Sequence, residues 1–482
     1  MTRASRDSET VPAAAVDRYD AEADVLVVGF GCAGACAAIE SADAGAETLV
    51  LERAGGAGGT SALSGGILYL GGGTPVQEAC GFEDSPETMA AFLEVACGPS
   101  ADSEKIRRYC RDSVEHFHWL VAQDVPFKPS FYPEPNMESP TDDCLVFTGG
   151  EDSWPFNEFT PRVARGHKPQ HEAAAGNFLM QRLEGAVQRR GVAVECNVSC
   201  EQLVVDGSGR VVGCVGRRAG EPFRARARRG VVLCAGGFVL DDEMIAHHAP
   251  QAARCSWRLS DGNDDGRAIR MGQAAGAETI HMGSLECAIP LTPPRPMVRG
   301  IFVDRSGQRF INEDTYYGRI GQKSLFELGG HFFWIHDEET YQVNDAEMQA
   351  TWVAESIAEL EAEMALPAGS LVSSVALYNE HAARGEDPLF HKGREFLKPL
   401  VAPPFAAIEI GTEQVTYATF TLGGLHTTAD GEVLTPEGKP VAGLFAAGRT
   451  TSGIAAVGYV SGISLGDASF FGRLAGRSAA RA

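Results

Sequence analysis

Residues 24–66 constrain this chain more than any other stretch. An apolar run, Val25-Leu26-Val27-Val28, predicts a fully buried parallel strand. The turn Gly29-Phe30-Gly31-Cys32-Ala33-Gly34 follows, then a small-residue helix over Ala35 to Ala44 and a second strand over Thr48 to Leu51. That strand ends in Glu52, about 20 residues past the glycines. The hexamer alone would fit many glycine-rich turns. Strand, turn, helix, strand and acid in this order point to a dinucleotide site. Gly29 makes the tight turn, Gly31 lets backbone approach a pyrophosphate, and Gly34 lets the helix lie close to the strand. The helix N-terminus offers unpaired N–H groups to phosphate, and Glu52 can accept from a ribose diol.

A second glycine-rich segment follows, Gly55-Gly56-Ala57-Gly58-Gly59-Thr60-Ser61 and Ser64-Gly65-Gly66. It lets backbone lie close to a large flat ligand, which favours FAD over NAD. With 482 residues, two domains are expected. The net charge of −23, from 41 basic and 64 acidic residues, argues against nucleic acid and anionic membrane surfaces as partners. The 12 cysteines show no C-x-x-C spacing and are read as small buried hydrophobes in a reducing, cytoplasmic setting. No metal site and no membrane span are expected. Residues 1–20 are read as a loose polar tail.

Along the chain, Pro75 to Gly98 predicts a turn and a helix capped at Asp84 or Ser85, and Asp102 to Gln123 a longer amphipathic helix. Residues 125–169 are irregular and rich in aromatics (Phe127, Phe131, Tyr132, Phe147, Trp154, Phe156, Phe159). Two readings stand for them: a lid over an apolar substrate, or a satellite hydrophobic cluster or subunit contact. A helix over Gly176 to Arg190 precedes strands over Val192 to Gly216 and Phe223 to Ala227, and Val231 to Gly237 returns to the parallel sheet. Prolines at 290, 293, 294 and 296 mark a linker. Helices are expected over Asp337 to Met364 and Ser370 to Ala383.

Glu52-Arg53, Gly58-Gly59-Thr60-Ser61 and Ser64-Gly65-Gly66 together resemble the fumarate reductase/3-ketosteroid dehydrogenase flavoprotein family. Val231 to Phe238, a strand ending in Ala235-Gly236-Gly237, resembles that family's second dinucleotide motif. Gly443 to Arg449 resembles its C-terminal G-L-[FY]-A-A-G-E motif, with Arg449 where Glu is usual. Asp265-Gly266 before a helix resembles its G-D-G segment, and Gly458 to Gly476 its flavin-contacting helix start. The resemblance implies an α/β fold: a Rossmann-like FAD-binding domain of the glutathione-reductase-like kind, over 21–286 and 407–482, with an inserted α+β capping domain over 287–406. It implies non-covalent FAD held by Gly29, Gly31, Gly34, Glu52, Arg53, Gly59, Thr60, Ser61, Gly65, Gly66, Ala235, Gly236, Asp265, Gly448, Ser464 and Leu465.

Two arginines and a histidine hold a dicarboxylate in the family's fumarate reductases. The matching positions here are Tyr317, Tyr459 and Phe420, so two carboxylates cannot be clamped bidentately. The family's 3-ketosteroid dehydrogenases resemble this chain in carrying tyrosines there. The resemblance implies desaturation beside a ketone: Tyr459 polarises the carbonyl, Tyr317 takes the α-proton, and Ser461 supports the phenol or the substrate oxygen. Tyr316 is adjacent, and a shift of one position exchanges it with Tyr317; Tyr316→Phe is expected to stay near wild type. Tyr459-x-Ser461 resembles the Δ4-(5α) enzymes of the family more than the Δ1 enzymes. The expected substrate is thus a small apolar 3-ketosteroid, with an external electron acceptor that is unknown. The alternatives are Δ1 desaturation, a simpler cyclic ketone, and a flavin-bound binding protein without turnover.

Overall fold

The structure is a computed structural model describing residues 9–134, 139–291, 293–343 and 348–482. Its centre is a nine-stranded sheet among the described residues. The Ala21–Val28 strand lies between Thr48–Leu51 and Glu221–Leu233, parallel to both. Val25, Leu26 and Val27 are fully buried, as a strand covered on both faces requires.

The Glu221–Leu233 strand changes partners along its length. Its first half, Glu221 to Arg226, is antiparallel to Val211–Arg218. Its last residues, Val231 to Leu233, pair in parallel with Leu444 to Ala446 of the returning chain. An irregularity between Ala227 and Gly230 marks the change. The sequence reading treated this as two strands; one continuous strand carries the chain from an outer antiparallel ribbon into the parallel core.

Helix Cys32–Asp43 lies against helix Ile463–Arg481. Small residues allow it: a Cβ at Gly472 or Gly476 would collide with backbone of Ala33 or Ala37. The buried Glu40 carboxylate pairs with Arg473 at 2.9 Å and Arg477 at 2.7 Å, locking the two helices in register.

The inserted unit is built on an antiparallel sheet ordered Ile301–Val303, His331–His336, Phe405–Gly411, Trp352–Ala354. Helices Ile357–Glu363 and Ser370–Ala382 share an apolar cluster with it. A buried ion network ties its start to the active-site side: Arg309 pairs with Glu313 at 2.8 Å and Asp387 at 3.0 Å, and Lys392 reaches Glu313 at 3.2 Å.

Several sequence expectations need correction. The tail is ordered from Glu9, and Val11–Pro12 pairs in parallel with Val204–Val205 at the sheet edge; residues 1–8 lie outside the described residues. The helix expected over 102–123 is two helices, Ser103–Arg111 and Ser113–Ala122, parted at Asp112, whose carboxylate accepts from Arg108 and Arg111. The helix expected over 337–364 shrinks to Ile357–Glu363, and residues 344–347 lie outside the described residues. Asp337 accepts from backbone N–H groups of Thr340, Val401 and Ala402, which fixes a turn there. Trp352-Val353-Ala354 then pairs as a strand, where aromatic and β-branched side chains fit better. The boundary expected at 406 falls inside the Phe405–Gly411 strand, which belongs wholly to the inserted sheet.

Helix Pro86–Ala96 begins where the sequence placed it: Ser85 caps it, accepting from Thr88 N–H, and Pro86 is its first residue. Among the described residues no helix is long and apolar enough to cross a membrane.

Candidate active site

The turn after Val28 does two different jobs with its glycines. Gly29 has φ +102°, and a Cβ there would strike the Cys234 carbonyl. A Cβ at Gly34 would strike the Gly29 carbonyl, so this residue closes helix onto strand and stays outside the cavity. Gly31 is different. A Cβ there meets nothing nearer than Ser61 Oγ at 3.4 Å, because its open side faces a cavity. Gly59, with φ +51°, has similar room.

That cavity measures about 360 Å³ and runs from the nucleotide turn to the inserted unit. One end holds the start of helix Cys32–Asp43, with Gly31, Cys32 and Ala33 at the wall. Glu52 reaches the same end. Its two oxygens accept from Phe30 N–H and Ala54 N–H at 2.6 Å each, which fixes its direction. Burial pushes its carboxyl up, and those backbone bonds oppose the shift. Farther along come Arg53, Gly59, Thr60, Ser61, Gly65, Gly66, Ala235, Gly236, Asp265, Gly448, Ser464 and Leu465. Apart from Gly34, the structure brings every residue expected at the dinucleotide together on this one wall.

Two aspartates divide the work that the sequence reading gave to Asp265. Asp265 pairs with Arg53 at 2.9 Å. Asp264 is buried and accepts from Thr60 Oγ1 at 2.7 Å and Gly237 N–H at 2.8 Å. It thus clamps both glycine-rich turns to one point. Arg449, standing where the family has Glu, pairs with Asp264 at 3.4 Å and lies over the Phe420 ring. The doubled Asp264-Asp265 before Gly266 was the available signal for this clamp.

The other end of the cavity is lined by Glu286, Ala288, Pro290, Tyr316, Tyr317, Phe420, Tyr459 and Ser461. Tyr317 opens helix Tyr317–Glu327, and Tyr316 caps it. The preceding loop is pinned by Asn312 Nδ2 and Arg319 Nη1, both donating to the Trp154 carbonyl at 3.1 Å. The rings of Tyr316 and Tyr317 meet edge to face with centroids 4.5 Å apart. Tyr459 meets Phe420 the same way at 5.3 Å.

Tyr459 is nearly buried, and burial pushes its phenol up to about 12. Ser464 is its hydrogen-bond partner. Ser461 shares the wall, and its backbone N–H donates to the Thr148 carbonyl at 3.1 Å. Ser464, in the first turn of helix Ile463–Arg481, thus brings a hydroxyl to Tyr459.

Two polar groups here were missed from sequence. Tyr316 was treated only as a neighbour, yet its hydroxyl donates to Glu286 Oε1 at 3.1 Å inside the cavity. Glu286 is an acid in the otherwise apolar strand Leu285–Ala288, and that contrast was its signal. The aromatic loop is not a lid: none of its described residues lines the cavity. Phe131 and Phe147 pack on Phe82 with centroids 5.1 and 5.8 Å away, and Phe156 on Phe92 at 5.1 Å. Edge-to-face pairs of this kind contribute about 0.5–1.5 kcal/mol each beyond area burial.

A parallel sheet with a G-x-G-x-x-G turn, a second glycine cradle and an inserted unit closing over two tyrosines defines a two-domain flavoprotein oxidoreductase. The FAD binding domain family matches residues 24–465, and the chain belongs to it. Its cofactor is FAD, and the open backbone at Gly31 and Gly59 fits that group. The chain is similar to the crystal structure of 3-ketosteroid-Δ4-(5α)-dehydrogenase from Rhodococcus jostii RHA1 in complex with 4-androstene-3,17-dione. The two share 49% identity over 98% of this chain and 99% of that one, with a TM-score of 0.94. It is 27% identical to 3-oxo-5-alpha-steroid 4-dehydrogenase of Comamonas testosteroni, over 88% of this chain and 92% of that one. It is 29% identical to 4-oxocyclohexanecarboxylate 2-dehydrogenase of Sinomonas cyclohexanicum, over 95% and 92%.

The cavity also bears on how FAD is attached. No histidine is among the residues that line it; Cys32, Cys200 and Cys234 are. Burial pushes the Cys234 thiol up to about 12, and its bond to Cys214 pushes Cys200 well above the thiol range. Neutral thiols are poor nucleophiles. Acid precipitation should therefore release the yellow cofactor into the supernatant; colour retained in the pellet would mean a covalent link.

Proposed function

We propose that this chain desaturates a saturated 5α-3-ketosteroid, introducing the 4,5 double bond. The observation that carries the reading is that Tyr317 and Tyr459 face one cavity where dicarboxylate reducers of the family have arginines. The likeness to the Rhodococcus jostii enzyme supports the choice of steroid. FAD, when bound, supplies the hydride acceptor.

The chain's own residues handle the ketone and the proton. Tyr459 stays neutral at physiological pH and can donate to the ketone oxygen, so charge developing on that oxygen meets a preorganised donor. Ser464 holds the phenol in place. Tyr317 takes the α-proton, and the Phe420 ring gives Tyr459 an apolar neighbour. Arg449 lines the cavity but is committed to Asp264 and the Phe420 face, so it is a poor clamp for a free carboxylate. We place the enzyme in the cytoplasm, with an external electron acceptor.

Product analysis after incubation with a saturated 5α-3-ketosteroid and an artificial acceptor tests the reading. The expected product is the Δ4 ketone. A Δ1 product would shift the assignment to the carbons on the other side of the ketone. Turnover of a 4-oxocyclohexanecarboxylate in place of the steroid would favour the monocyclic ketone of the Sinomonas relative.

The two serines separate cleanly. Ser464→Ala removes the partner of Tyr459 and should slow flavin reduction by about fivefold, as loss of one hydrogen bond of about 1 kcal/mol implies. Ser461→Ala should be milder. The reverse order in stopped-flow traces would return the supporting role to Ser461.

A further inference from the structure

We propose that Glu286 is the terminal proton acceptor of a relay that runs from Tyr317 through Tyr316, a role that rests on the ketone desaturation proposed above. The path is laid out in hydrogen bonds. Tyr317 and Tyr316 are hydrogen-bonding neighbours. Tyr316 Oη donates to Glu286 Oε1 at 3.1 Å. Gln322 Nε2 donates to Glu286 Oε2 at 3.3 Å and also to the carbonyls of Leu285 at 3.1 Å and Val457 at 3.4 Å. Gln322 is half-buried and Val457 is exposed, so the path ends near water.

The site is built around that carboxylate. Gly318 sits in the first turn of helix Tyr317–Glu327, and a Cβ there would collide with both the Tyr316 ring and Glu286 Oε1. Only glycine lets the helix start press phenol and carboxylate together. Among the described residues no cation forms an ion pair with Glu286, so a structural salt bridge does not explain a fully buried acid. The titratable groups facing it are Tyr316, Tyr459 and Cys287, with Tyr317 beyond Tyr316.

The proton balance closes along this line. The α C–H bond of the ketone breaks and its proton forms a new O–H on Tyr317. The phenolic proton of Tyr317 moves to Tyr316, and that of Tyr316 moves to the Glu286 carboxylate. FAD, when bound, would accept the β-hydrogen as hydride and with it the two electrons of the oxidation. Neither tyrosine has to exist as a free phenolate, which suits Tyr316, whose phenol burial and the nearby Glu286 push well above its usual range. Glu286 then releases its proton past Gln322. Burial pushes its carboxyl up to about 8, close to working pH, where an acid–base group is most effective.

The relay contradicts the expectation, drawn from sequence, that Tyr316→Phe stays near wild type. The test is anaerobic flavin bleaching of the FAD-loaded enzyme by a saturated 5α-3-ketosteroid, followed against pH. The wild-type rate should rise through about 8 as Glu286 ionises. Glu286→Gln should lose about 10²-fold and show no rise, whereas Glu286→Asp should recover most of the rate and the rise. Tyr316→Phe should match Glu286→Gln. Independently of turnover, infrared difference spectra of Glu286→Gln against wild type should lack one protonated-carboxyl band that disappears above about 8. If Glu286→Gln fails to load FAD, Glu286→Asp and Tyr316→Phe decide. Wild-type rate and pH profile in Glu286→Gln, or in Tyr316→Phe, would overturn the relay alone. A wild type that the ketone never bleaches would overturn the desaturation reading and the relay with it.

Discussion

Tyr317→Phe and Tyr459→Phe should each keep FAD and the fold, yet lose about 10²-fold or more in the rate of flavin reduction by a 5α-3-ketosteroid. Both rings are nearly buried and belong to the same apolar cluster, and phenylalanine preserves that packing. Loss of the Tyr459 hydroxyl leaves Ser464 without its partner, at a cost to stability of about 1 kcal/mol. That is too little to unfold a domain and far less than the expected loss in barrier lowering. The two variants should differ in binding. In the proposed reaction Tyr459 donates to the ketone oxygen of the bound substrate, so its loss should weaken ketone binding as well as rate. Tyr317 is proposed to act on the proton, so its loss should fall on the rate alone. Near-normal bleaching in both variants would remove the basis for ketone desaturation.

Gly31→Val should give a folded protein that purifies without colour. The backbone at Gly31 is extended, with φ −80°, so valine is not strained there. Its branched side chain would project into the cavity, where Ser61 Oγ at 3.4 Å and the Gly58 carbonyl at 3.8 Å are its near neighbours. The protein itself therefore has little reason to object, and the loss should fall on the pyrophosphate. Gly34→Val is the contrasting variant. Its side chain meets the Gly29 carbonyl with no space to yield, and it should express as unfolded or aggregated chain. Full FAD occupancy in Gly31→Val, read from the flavin-to-protein absorbance ratio, would move the pyrophosphate elsewhere.

The nucleotide half was legible because its chemistry is backbone chemistry. Gly29, Gly31, Gly34 and Glu52 act through turn geometry and chain direction, and these leave a fixed spacing. The tyrosine pair was legible only through the contrast with arginine and histidine at matching positions. What the sequence hid are contacts made across long separations. Asp264 joins Thr60 and Gly237 from a third segment, and Asp265 beside it had an equal claim by sequence. Glu286 becomes meaningful only once Tyr316 and Gly318 are brought against it. Ser464 was read only as a cofactor contact, because its bond to Tyr459 exists only once the start of the last helix is in place. The helix expected over 337–364 failed for a related reason: Trp352–Ala354 takes its conformation from a partner strand some 50 residues away, and tertiary pairing overrides local preference.

The locking of helix Cys32–Asp43 against Ile463–Arg481 sets a schedule for synthesis. Glu40 and Arg473, which join them, are 433 residues apart. At roughly 5–20 residues per second, the ribosome needs about 20–90 s to deliver the second helix after the first. During that interval the small-residue face of the phosphate-facing helix has no cover. That face therefore stays open for longer than most small domains take to fold, and the phosphate end of the site reaches its final packing only once the second helix has emerged.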